Sequence, residues 1–155
     1  MIKYINTDVV FQEIPGETTL VLNISNCPCH CPGCHSEYLW EDTGTILDYD
    51  EAYRLINKYT GFITCICFMG GDGDPEGINS LAAYIKNNFD IKTGWYSGRQ
   101  ELSEYIDINN FNYIKLGPYI EKLGGLDNKA TNQRLYKIID NSLEDITYKF
   151  WKNGI

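Results

Sequence analysis

The sequence predicts an α/β fold: an open, partial (β/α) barrel built on a mostly parallel sheet. Three observations lead there. Apolar runs alternate with segments of helical periodicity, the pattern of repeated βαβ units with right-handed crossovers. One run, FITCICFM (Phe62 to Met69), is continuously apolar between glycines, as a strand covered on both faces should be. The length, 155 residues, suits one domain, residues 1–155, but falls short of the roughly 250 that a closed eight-unit barrel needs.

The elements follow in order. MIKYINTDVVFQEIPGE mixes charged and apolar residues and lacks the long apolar core of a secretory signal. TTLVLNIS (Thr18 to Ser25) is β-rich and runs straight into a cysteine cluster. LDYDEAYRLINKY (Leu47 to Tyr59) carries Tyr49, Ala52, Tyr53, Ile56 and Tyr59 at helical spacing, with Asp48 as its N-cap. After the apolar run, PEGINSLAAYIKNNF (Pro75 to Phe89) is a helix with proline at its start. IKTGWYS (Ile91 to Ser97) is a strand, RQELSEYI a short helix and FNYIKLG (Phe111 to Gly117) another strand. Pro118 to Thr131 reads as a functional loop, and RLYKIID and DITYKFW as late strands.

Composition excludes several classes. With 13 basic and 21 acidic residues the net charge is −8, so the chain has no basic face with which to displace phosphate counterions, and no nucleic acid is expected as a partner. No apolar run approaches the roughly 18 residues of a membrane span, and no membrane association is expected. Without a secretory signal the chain is expected in the cytoplasm. Four of its six cysteines lie between Cys27 and Cys34. Such crowding in a reducing compartment points to a metal site rather than to disulfides.

Residues 27 to 35 read CPCHCPGCH, which contains Cys-x-x-x-Cys-x-x-Cys as Cys27, Cys31 and Cys34. Thiolates are the usual ligands of iron–sulfur clusters. Three of them can hold three irons of a cubane and leave the fourth open, and an open position is the mark of a metal that acts on a bound substrate. Two other readings of the spacing stand beside it. A zinc knuckle would use Cys29, Cys31, Cys34 and His35, and an electron-carrying ferredoxin site would need a fourth nearby cysteine. MGGDGDP (Met69 to Pro75) follows the second strand. Its paired glycines allow close approach to the backbone, and Asp72 can accept from an ammonium group. Cys65 and Cys67 share one face of their strand and read as core.

Cys27, Cys31 and Cys34 after a first strand, with Gly70, Gly71 and Asp72 after a second, resemble the radical S-adenosylmethionine superfamily. CPGCH with Gly33 and His35, WYSGR (Trp95 to Arg99) and KATNQRLYKI (Lys129 to Ile138) narrow the resemblance to the activating proteins of anaerobic (class III) ribonucleoside-triphosphate reductase. The resemblance implies a 4Fe–4S cluster on the three cysteines and S-adenosylmethionine as second cofactor. Gly33, Cys34, His35, Gly70, Gly71, Asp72 and Ser97 would lie against the latter. It implies an oxidoreductase that cleaves S-adenosylmethionine reductively and uses the 5′-deoxyadenosyl radical to form a glycyl radical on the reductase. A low-potential electron donor would be needed. Where the wider superfamily has Gly-Gly-Glu, this chain has Gly-Gly-Asp. Competing readings are a radical enzyme acting on a small molecule and a zinc-binding interaction module without catalysis.

Overall fold

The structure is a computed structural model and describes residues 2–29 and 37–151. Eight strands form one sheet in the order β3-β1-β2-β4-β5-β6-β7-β8. They are β1 (Lys3–Val10), β2 (Thr19–Ile24), β3 (Thr45–Ile46), β4 (Cys65–Met69), β5 (Lys92–Tyr96), β6 (Tyr113–Leu116), β7 (Arg134–Ile139) and β8 (Ser142–Asp145). Two α-helices are described, α1 (Tyr49–Lys58) and α2 (Pro75–Asn88).

The expected open partial (β/α) barrel with a mostly parallel sheet is not what forms. Only the three pairings β2–β4, β4–β5 and β5–β6 are parallel. The four outer pairings, β1–β2, β1–β3, β6–β7 and β7–β8, are antiparallel. Two local features explain the difference. The N-terminal segment, given no strand in the sequence reading, pairs back on β2 across residues 11–18. At the other end Asp140 and Asn141 both adopt positive φ, 49° and 62°, the backbone of a tight hairpin turn that returns β8 against β7. Antiparallel neighbours joined by short turns require no crossover helix.

Two smaller expectations also fail. The helix expected over RQELSEYI does not form. There the Ser103 hydroxyl accepts from the Tyr105 amide at 3.2 Å and the Ser103 carbonyl from the Ile106 amide at 3.2 Å, so a local turn displaces helical bonding. DITYKFW is not a strand beyond Asp145. The Asp145 carboxylate accepts from the Thr147 amide at 2.9 Å and opens a 3-10 turn over Thr147–Phe150.

The helices form where their caps and periodicity direct. Asp48 accepts from the Glu51 amide at the start of α1. Asp74 accepts from the Gly77 amide at the start of α2, with Pro75 in the first turn. The buried stripe of α1 is Ala52, Leu55 and Ile56. Tyr49 and Tyr53, expected in it, lie at its margin, where Tyr49 stacks on Tyr84 with ring centroids 4.6 Å apart. The strands alternate faces with period two. Leu20, Leu22, Ile24, Ile66, Phe68, Trp95 and Ile114 pack with both helices in one core. Val21, Cys65, Cys67, Tyr96 and Tyr113 form the second, which Ile14 of the β1–β2 connection and Ile146 close. Cys65 and Cys67 are thus core residues on one face, as expected.

Candidate functional site

The three parallel pairings bring the C-terminal ends of β2, β4, β5 and β6 side by side, and connections leaving such ends are where ligands of open α/β sheets gather. The cysteine loop leaves β2. Asn26, at φ 59°, takes the left-handed conformation just before Cys27. The loop is closed at its base, because the Asn26 amide donates to the Glu41 carbonyl and the Cys27 amide to the Leu39 carbonyl, each at 2.9 Å. Cys27 and Cys29 are both half-buried there. Gly33, Cys31, Cys34 and His35 lie outside the described residues, as does His30.

Beside Cys29 sits the turn after β4. Gly70 and Gly71 have φ of 105° and 93°, a region that only glycine enters freely. A Cβ on Gly71 would lie 2.6 Å from Ile78 Cδ1 of α2. This glycine is therefore required by strand–helix packing, whatever ligand its backbone meets. The turn presents Asp72, whose side chain is buried. Ser97 Oγ donates to Asp72 Oδ1 at 2.5 Å and the Gly98 amide to Oδ2 at 2.8 Å. Cys29 Sγ makes a longer contact to the same Oδ2, at 3.7 Å. The structure therefore gathers Asp72, Ser97 and Gly98, from the ends of β4 and β5, around a carboxylate that faces the cysteine loop.

Two members of the cluster were not foreseen. Cys29, named from sequence only as a ligand of the alternative zinc knuckle, touches the Asp72 carboxylate. Its thiol is held well above its ordinary pKa, first by its hydrogen bond with Cys27, then by burial and by the Asp72 charge. Lys115 is buried on β6 and donates to the Ser97 carbonyl at 3.1 Å and the Gly117 carbonyl at 2.8 Å. It ties the ends of β5 and β6 together beneath the carboxylate. A lone lysine inside the apolar strand YIKL was its only sequence signal.

The remaining thiols are chemically quiet. Burial pushes Cys65 up to about 12 and Cys67 well above the usual thiol range, so neither supplies a thiolate near neutral pH. No three His, Cys, Asp or Glu side chains among the described residues stand together as a metal site; two of the three expected ligands lie outside those residues. What is described fits the proposed groups in kind. A soft sulfur donor, Cys27, opens the loop, and a buried carboxylate with a fixed set of neighbours stands across from it. No described helix is long and apolar enough to cross a membrane.

Compared with known proteins, the chain matches no family model and no curated protein sequence.

Proposed function

We propose that this chain is a radical S-adenosylmethionine activase that forms a glycyl radical on anaerobic ribonucleoside-triphosphate reductase. The observation that supports the reading is the meeting of Asp72, Ser97 and Gly98 at the strand ends, in contact with Cys29 of the cysteine-rich segment. Cys27, Cys31 and Cys34 would hold the 4Fe–4S cluster. A bound cluster, reduced by a low-potential donor, would supply one-electron chemistry for the reductive cleavage of S-adenosylmethionine to methionine and a 5′-deoxyadenosyl radical.

The chain's own residues bind and orient. Asp72 accepts the methionyl ammonium, a charge-assisted contact inside a site that water reaches poorly. Ser97 and Gly98 hold the carboxylate in one orientation, so the carboxylate itself does not turn when the ligand arrives. Lys115 fixes the backbone on which Ser97 stands. On the family resemblance, Gly33 and His35 would also lie against S-adenosylmethionine. The chain would act in the cytoplasm.

Anaerobic reconstitution followed by metal and sulfide analysis tests the reading. Iron with acid-labile sulfide, and reductant-dependent release of 5′-deoxyadenosine, support it. Zinc without sulfide would replace it with the interaction module. A glycyl signal by electron paramagnetic resonance on the purified reductase identifies the partner, whereas a small product formed without any protein would favour the small-molecule enzyme.

A further inference from the structure

We infer that Cys29 is a displaceable cover on Asp72, holding the carboxylate in the cofactor-free protein and giving way to the ammonium group of an α-amino-acid ligand. This rests on the function proposed above and assigns a role to a residue outside the Cys-x-x-x-Cys-x-x-Cys motif.

The carboxylate has three protein donors, and they are unequal. The Ser97 hydroxyl, at 2.5 Å, and the Gly98 amide, at 2.8 Å, both stand at the end of β5. Ser97 is itself held there, since its carbonyl accepts from Lys115 at 3.1 Å and its hydroxyl from the Arg99 amide at 3.0 Å. The Cys29 thiol comes from the cysteine loop and makes the longest of the three contacts, 3.7 Å. Sulfur is also the weakest donor atom of the set. A cation arriving at Asp72 therefore replaces Cys29 and leaves the other two bonds in place, exchanging a long contact from a weak donor for an ion pair with hydrogen bonding.

The packing shows that the thiol fills a reserved space. A Cβ on Gly98 would stand 2.8 Å from Cys29 Sγ and 3.5 Å from Asp72 Oδ2. Glycine at this position leaves room for a group to lie against the carboxylate, and Cys29 occupies it. The gain in the empty protein is that a buried carboxylate is not left short of a donor. The consequence is selectivity: a ligand without an ammonium group has nothing to exchange for the thiol.

The experiment uses the cluster-loaded chain without reductant, so that S-adenosylmethionine binds and is not cleaved. Cys29 alkylation by iodoacetamide is followed by mass spectrometry, alone, with S-adenosylmethionine, and with methylthioadenosine, which lacks the amino-acid moiety. Alkylation of Cys29 should rise severalfold with S-adenosylmethionine and stay unchanged with methylthioadenosine. In parallel, Cys29→Ala should bind S-adenosylmethionine about two- to fivefold more tightly, the worth of one weak hydrogen bond no longer broken on entry. Cys29→Ser, which keeps a donor, should bind no more tightly than wild type. An unchanged or slower alkylation rate overturns the cover, and so does equal or weaker binding by Cys29→Ala. If wild type binds cluster and cofactor and Cys29 does not respond, only this inference falls. If wild type binds neither, the proposed function falls with it.

Discussion

Ser97 Oγ lies 2.5 Å from Asp72 Oδ1, a bond that joins the C-terminal ends of β5 and β4 at a buried carboxylate. It is stronger than an ordinary hydroxyl contact because the acceptor is charged and the donor cannot turn to water. Asp72→Asn should weaken S-adenosylmethionine binding about tenfold or more, since a charged hydrogen bond contributes about 1.5–3 kcal/mol. Ser97→Ala should weaken it less, by freeing the carboxylate to reorient. Asp72→Glu, which restores the wider superfamily's residue, should also weaken it, because the added methylene cannot keep both the Ser97 and Gly98 bonds. Equilibrium dialysis on cluster-loaded protein measures all three, and tighter binding by Asp72→Glu would contradict this geometry.

Gly71 stands against Ile78 so closely that any side chain there must displace the Ile78 side chain. Gly71→Ala also demands a φ near 93° from a residue with a Cβ. The two effects together should lower unfolding free energy by about 1–3 kcal/mol. Adding Ile78→Val removes Cδ1 and should recover part of the loss. Urea denaturation of the single and double variants decides this. Absence of any recovery would place the cost in the backbone alone.

Five of the six cysteines should separate into two responses. Cys27→Ala, Cys31→Ala and Cys34→Ala should each lose iron and sulfide. Cys65→Ala and Cys67→Ala should keep both, because these thiols are buried and stay protonated; each should cost about 1 kcal/mol of stability as a small core cavity. Iron loss in Cys67→Ala would show that the second core reaches the cluster.

Far from the strand ends, Glu17 is buried and accepts from Lys92, Thr64 and Tyr113, each at 2.7 Å. Burial alone would raise its pKa, but the bonds from Lys92, Thr64 and Tyr113 outweigh it and lower the value. A carboxylate with a lowered folded pKa stabilises the fold above its unfolded pKa of about 4.3, and that contribution is lost as pH falls through the folded value. Glu17→Gln should cost about 1–3 kcal/mol at pH 7, mostly from weakened bonds to three donors. It should also flatten the stability decline below about pH 4.3. Denaturant melts across that range test the sign; an equally steep decline in the variant would assign acid sensitivity elsewhere.

Much of the local structure was legible because it is set by neighbours in sequence. Asp48 caps α1, and Pro75 stands in the first turn of α2. The apolar run around Cys65 to Met69 marked a strand buried on both faces, and Cys65 and Cys67 were placed on one of them. What was not legible depends on partners distant along the chain. The alternation of Lys3–Val10 does not say that the strand turns back on β2, and that direction, with the β7–β8 hairpin, made the sheet mixed.

The same division holds at the candidate site. By itself the sequence determined which chemistry is present: thiols at Cys27, Cys31 and Cys34, and a carboxylate after two glycines. Only the tertiary structure decided that Asp72 meets Ser97, Gly98 and Cys29, and that Lys115 secures the strand end beneath them. Spacing specifies contacts within a few residues, where the chain itself enforces proximity. Asp72 and Ser97 are separated by 25 positions, and parallel pairing of β4 with β5 is what brings them within a hydrogen bond.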